Sequence, residues 1–248
     1  MTEKEILIEK FYQLLNSSST SENDIQTFLE TNSSLIPLPF ILNHALNGNS
    51  VISKLNLGNT YVTDFAYLTK STVKWQLVLI ELEESKKKFF TKENLFSAEF
   101  NRALAQIDDW KIYCDKYKDR IMKQTNALRN PLNGNPVEIF YVLIYGRNEE
   151  YQNDEYRSAK IAELEKNSNL RVMSYDSLVS EFRYKTAHYE DKNKIILSPR
   201  GDEKFSLKYH SNVYGSFLFD RIDPNYLEIP KNFHSELLNL GYDIKKWL

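Results

Sequence analysis

YVTDFAYLTKSTVKWQLVLIELEE, residues 61–84, decides the fold class. Two runs rich in β-branched and aromatic residues, YVTDFAYLT and TVKWQLVLIELEE, are separated only by Lys70-Ser71, and they read as strands. Two residues cannot hold a crossover helix, so the pair is antiparallel. Upstream, VISKLNL (51–57) and the turn at Gly58-Asn59 add a third strand to the same meander. Val78, Leu79 and Ile80 are apolar on both faces, which places the last strand centrally in its sheet.

Outward from this meander the period changes. Ile6, Ile8, Phe11, Tyr12, Leu14 and Leu15 mark a helix over 3–15, and Ile25, Phe28 and Leu29 a second one, ended by Pro37 and Pro39. Ser97 caps a long helix, with Glu99 at the positive end of its dipole and an apolar stripe of Phe100, Ala103, Leu104, Ile107, Trp110, Cys114 and Tyr117. VEIFYVLIYG (137–146) reads as a buried strand, 154–166 as a helix, LRVMS (170–174) as a strand and YDSLVSEF (175–182) as a short helix. Beyond these, strands are expected at 205–209 and 213–219 and a helix near 231–240. The order is that of a mixed α/β sheet flanked by helices and not of a regular βαβ alternation. It divides the chain into an N-terminal helical segment (1–50), a core (51–184) and a small C-terminal extension (185–248).

At 248 residues, 42% of them hydrophobic and 27% charged, the chain can bury a core without staples. Seven Gly and seven Pro against 16 Tyr and 14 Phe exclude disorder and repeat architectures. The single cysteine, Cys114, excludes an intrachain disulfide and a cysteine-rich zinc site, and the four histidines show no ligand spacing. The opening MTEKEILIEK has no signal-peptide core, and no apolar run approaches the roughly 18 residues of a membrane span. A cytoplasmic protein without a membrane partner is expected. The net charge of −2 gives no global sign of nucleic-acid binding. A phosphate, however, responds to charge within about 8–10 Å of it.

The chemistry is concentrated in acids that continue apolar strand faces. Asp64 falls on the face of Val62, Ala66 and Leu68, and Glu81 and Glu83 on that of Leu77 and Leu79. Burying a carboxylate without a partner is costly, and neighbouring acids repel unless a cation lies among them. A hard ion with oxygen ligands, Mg2+ or Mn2+, fits such a site and suits phosphodiester cleavage. Gln106, beside the stripe of the long helix, offers a neutral amide to orient a water or a phosphate. Lys86, Lys87 and Lys88 follow the acidic strand directly and are candidates for phosphate contact, as is Arg147 at the end of the 137–146 strand. The plainer reading makes Asp64, Glu81 and Glu83 strand-end acids and the lysines a solvated turn. Lys111, Lys116, Lys118, Arg120 and Lys123 make the later part of the long helix basic, which reads first as an outer helix face.

Asp64, then IELEE (80–84), then KFFTKENLFSAEFNRALAQIDDW (88–110) resembles the signature of the Shedu family of bacterial anti-phage defence proteins. FLETNSSLIP (28–37), LGNTYVTDFAYL (57–68), VLIYGR (142–147) and LRVMSYDSL (170–178) resemble its neighbouring segments, so the likeness spans roughly 25–180. The resemblance implies a PD-(D/E)XK restriction-endonuclease-like core of αβββαβ order and metal-dependent cleavage of phage or foreign DNA. It implies metal binding at Asp64 and Glu81, the third motif position at Glu83 and the helix glutamine at Gln106. A homo-oligomer is expected too, since a superfamily nuclease with one site per chain often pairs to cut both strands. This chain departs from the superfamily at Glu83, where Lys is usual. That leaves Glu83 as metal ligand, general base or both, and leaves open a catalytically inactive module that binds DNA or a protein partner.

Overall fold

The computed structural model describes residues 1–248 except 131, 133, 167, 185–191, 202 and 211–217. Eight strands form one mixed sheet: β1 (Leu46–Ser53), β4 (Phe65–Lys70), β5 (Trp75–Leu82), β6 (Val137–Ile144), β7 (Leu170–Met173), β8 (Ile195–Pro199), β9 (Phe205–Tyr209) and β10 (Leu227–Glu228). Their order is β10-β9-β8-β1-β4-β5-β6-β7. The expected meander is the antiparallel β1–β4–β5 series, and β6 and β7 add to it in parallel. Every residue of β5 is buried, as its doubly apolar centre requires.

Helices cover both faces. On one side α1 (Glu3–Asn16), α2 (Glu22–Thr31) and α6 (Tyr175–Tyr184) bring Phe11, Leu29 and Leu178 onto Phe65, Val78, Ile80 and Val142. On the other, α3 (Ala98–Lys116), α4 (Lys118–Gln124), α5 (Glu155–Glu165), α7 (Leu218–Arg221) and α8 (Lys231–Asn239) cover Ala66, Leu77, Leu79 and Leu143. The caps follow the sequence: Ser97 Oγ accepts the Phe100 N–H, and Ser21 forms a capping box with Asp24.

Two features depart from the pattern read along the chain. VISKLNL and YVTDFAYLT are not single strands. Both leave the sheet, at Lys54 (φ +57°) and at Thr63-Asp64, and the residues between form a small hairpin of β2 (Asn56–Leu57) and β3 (Tyr61–Val62). Val62, half exposed, therefore belongs to the hairpin and does not share a strand face with Asp64. Lys54 N–H donates to the Asp64 carbonyl at 3.0 Å and Thr63 N–H to that of Leu55 at 2.9 Å, which closes the neck.

The second departure lies in the C-terminal segment, which enters the main sheet: β8 pairs in parallel with β1, and β9 and β10 follow. Lys208 of β9 reaches Glu30 of α2 at 2.6 Å, and Glu30 also accepts from Ser53. The expected strand at 205–209 is present. Most of the one expected at 213–219 lies outside the described residues, and its last two positions start α7.

Candidate metal and phosphate site

Asp64 stands where the hairpin rejoins the sheet, 3% exposed. One carboxylate oxygen accepts the Leu82 N–H at 2.6 Å, capping the end of β5, and the other meets the Lys54 ammonium at 2.5 Å. The kink at Thr63-Asp64 has a physical reason: a buried carboxylate needs donors, and turning the chain there supplies a backbone N–H and an ammonium together. Burial still holds the Asp64 carboxyl above its ordinary range, against the pull of Lys54 and Leu82.

Glu81 is the next acid, on the face of β5 covered by α3, as the strand period requires. Gln106 of α3 donates its side-chain amide to the Glu81 carboxylate. Burial first, then the charges of Asp64, Glu22 and Glu83, push the Glu81 carboxyl up to about 9. Glu83 sits one residue past β5, its N–H bonded to the Ile144 carbonyl at 2.9 Å and its own carbonyl accepting the Tyr175 hydroxyl at 2.6 Å. Its carboxylate is paired with Lys87. The structure thus brings Asp64, Glu81, Glu83 and Gln106 to one end of the central strands.

Sequence reasoning missed four members of this site. Glu22 faces it from α2, and burial together with the charges of Asp64 and Glu83 lifts its carboxyl to about 7. One turn on, the Gln26 amide donates to the Asp64 carbonyl at 3.0 Å, and Glu30 follows after another turn. The signal was present as polar residues at i, i+4 and i+8 on a helix packed against a sheet, a stripe that should have been apolar. Lys54 had no local signal, because the hairpin alone carries it to Asp64.

The lysine run and Arg147 converge on one groove of about 460 Å3 beside these acids, bordered by Ser18, Ser85 and Glu149. Lys88 is exposed, and among the described residues its ammonium has no partner. Lys86 donates to the Ser18 carbonyl at 2.7 Å. Lys87 lines the groove while holding Glu83, so it joins the basic groove to the acidic site. Arg147 reaches the groove with its guanidinium engaged, in a forked pair with Asp176 (2.8–3.0 Å) and a bond to Asn16.

Gly146, at φ +52°, lets this basic loop lie against β6: a Cβ there would stand 2.5 Å from the Lys87 carbonyl. Gly146→Ala is therefore expected to cost about 1–3 kcal/mol in chemical denaturation, from a non-glycine residue in the left-handed region. It should also displace Lys87 from Glu83. Unchanged stability would show that the loop tolerates a Cβ against the Lys87 carbonyl.

The donor set suits a hard divalent cation in type and charge. Asp64, Glu81, Glu83 and Glu22 bring four carboxyls against the ammonium groups of Lys54 and Lys87. Among the described residues no three acidic, His or Cys side chains converge as a ready-made cage. Each of the three motif acids is instead held by a partner of its own: Lys54, Gln106 or Lys87.

Fold and site together define an α/β/α protein that gathers buried carboxylates at the end of its central strands, beneath a glutamine-bearing helix and beside a basic groove. Over residues 19–179 the chain matches the family model described as Shedu protein SduA, C-terminal. It belongs to that family, which implies a role in anti-phage defence. No curated protein shows significant similarity to the chain. No helix among the described residues is long and apolar enough to cross a membrane.

Proposed function

We propose that the chain is a Mg2+- or Mn2+-dependent DNA endonuclease built on a PD-(D/E)XK core. The observation that supports this most is the excess of buried carboxylate over ammonium beside a lysine-lined groove. Bringing acids together in this way raises their pKa values and stores repulsion, which a divalent cation relieves. Asp64 and Glu81 would hold the ion, with Glu83 as third ligand or as base. When bound, the ion acidifies a water and neutralises charge on the phosphoryl and leaving oxygens.

The chain's own residues supply the rest. Gln106 fixes the rotamer of Glu81. Tyr175 and the β6 ladder fix the backbone of Glu83. In this reading Lys87 stands in for the lysine that the superfamily carries at position 83, since it already lies on the Glu83 carboxylate. Lys86 and Lys88 track the DNA backbone next to it.

Supercoiled plasmid incubated with Mg2+ or Mn2+ should be nicked or linearised, and EDTA should stop it. One observation favours a second reading, an inactive nuclease-fold module that binds DNA: Asp64 and Glu83 are each satisfied by a lysine without any metal. Plasmid retained but never cut, at any concentration of either ion, would decide for that reading.

Both readings use the groove. Replacing Lys86, Lys87 and Lys88 together with Ala should weaken DNA binding irrespective of sequence and flatten its salt dependence by roughly two to three counterions, at about 0.9 per phosphate contact. A salt slope equal to that of the wild type would return the run to a solvated turn.

A further inference from the structure

A second groove, of about 420 Å3, opens between the β2–β3 hairpin and α3. Tyr61 of the hairpin meets Tyr113 of α3 edge-on at 5.9 Å, and Tyr113 lies 4.7 Å from Tyr117. Tyr117 is 41% exposed and Ile112, on the same wall, 67%. Lys116 and Arg120 line the groove against a single acid, Asp109. Among the described residues neither cation has a carboxylate partner, and the Lys116 ammonium rests 5.2 Å above the Tyr117 ring.

Water alone does not call for rings and cations gathered along one groove. Apolar ring faces interleaved with unpaired cations match the two sides of a nucleotide, a base to stack and a phosphate to neutralise. Both walls also lead into the candidate site. Tyr61 lies three residues before Asp64. Tyr113 lies seven residues after Gln106, on the same helix face and about 10 Å along the axis. The groove is placed by structure rather than by accident of sequence. Gly58, at φ +65°, folds the hairpin down so closely that a Cβ on it would overlap the Tyr113 hydroxyl.

We infer that this groove binds unpaired nucleobases of a DNA strand that continues into the Asp64–Glu81–Gln106 site. Tyr117 and Tyr61 stack the bases, and Lys116 and Arg120 hold the adjoining phosphates. The inference rests on the nuclease reading for its direction, toward the scissile strand, but not for its binding.

The test is the affinity of the full chain, in EDTA so that nothing is cut, for a fluorescent single-stranded oligonucleotide and for the matching blunt duplex. Tyr117→Ala and Tyr61→Ala should each weaken the single strand about five-fold or more, the lower end of base–aromatic stacking. Both should leave the duplex within two-fold. Tyr117→Phe should bind as the wild type does, because the ring face and not the hydroxyl makes the contact. Tyr117, at the exposed end of α3, decides the matter if Tyr61→Ala disturbs the hairpin. Equal single-strand affinity of Tyr117→Ala and the wild type would overturn the inference, as would equal loss for single strand and duplex, or burial of the groove in a dimer of the free protein. A wild type that binds the oligonucleotide through Tyr117 yet cuts no DNA with Mg2+ or Mn2+ would leave this groove standing and remove only the nuclease reading.

Discussion

Glu81→Gln is expected to abolish DNA cleavage, by three or more orders of magnitude, while removing a pH-dependent weakness from the metal-free protein. The first effect follows from loss of a charged ligand at the proposed ion site. Asp64→Asn should match it in activity, although it also loses the Lys54 pair and keeps only the cap on Leu82. The second effect follows from proton linkage. The Glu81 carboxyl sits at about 9 in the fold, pushed up by burial and by its acidic neighbours, against 4.5 as its ordinary value. Between those values the folded chain binds a proton that the unfolded chain has released. Stability is therefore fully present below about pH 4.5 and is lost as pH rises toward about 9, at up to about 1.4 kcal/mol per pH unit for one proton. Gln cannot ionise, so urea unfolding in EDTA at pH 6 and pH 8.5 should show a smaller loss for the variant than for the wild type. Some slope should remain from Glu22, raised to about 7 by burial and by the charges of Asp64 and Glu83. Divalent ion should restore the wild type at pH 8.5 and do nothing for Glu81→Gln. An unaltered pH slope would mean that Glu81 is ionised in the metal-free fold, and normal cleavage would remove it from the site.

Glu83→Gln is expected to slow cleavage about a hundred-fold or more, as removal of a base or a ligand does. Its fold should persist, because position 83 is anchored by its backbone, through Ile144 and Tyr175, and not by its side chain. Glu83→Lys is the sharper companion. It restores the residue usual in the superfamily but places a second ammonium beside Lys87, which has lost its carboxylate. Retained activity with a changed preference between Mg2+ and Mn2+ would mean that a cation suffices at this position. Single-turnover rates at saturating Mg2+ and Mn2+ separate the cases, and Glu83→Gln cutting at the wild-type rate would reduce Glu83 to a salt-bridge partner of Lys87.

Much of the site was legible because strand periodicity is a short-range property. Glu81 was expected to share a face with Leu77 and Leu79, and that face is the one α3 covers, where Gln106 meets it. The Ser97 cap and the α3 stripe were equally local, and both are found, except that Tyr117, expected at the end of the stripe, caps the helix and is exposed. Asp64 was placed beside Glu81 through the order of strands, which short turns dictate. The expectation that Val62 shared its face was wrong, since hydrophobic alternation continues through 61–69 whether or not the chain stays in the sheet.

What the sequence by itself determined is therefore the set of local patterns: the β1–β4–β5 meander, the fully buried central strand, the caps, the acids at the strand end and the basic run after them. Tertiary structure alone decided which distant groups complete them. Lys54 meets Asp64 only because a hairpin closes at the neck between them, and Glu22 meets the acids only because α2 lies along the sheet. Residues after 194 extend the sheet because β1 offered a free edge, to which β8 adds in parallel. Arg147, expected at a DNA contact, lines the groove while its guanidinium is paired with Asp176, a carboxylate 29 residues away. The physical reason is that a buried charge or an unpaired backbone edge interacts with whatever the fold brings within reach, and sequence separation does not enter that energy.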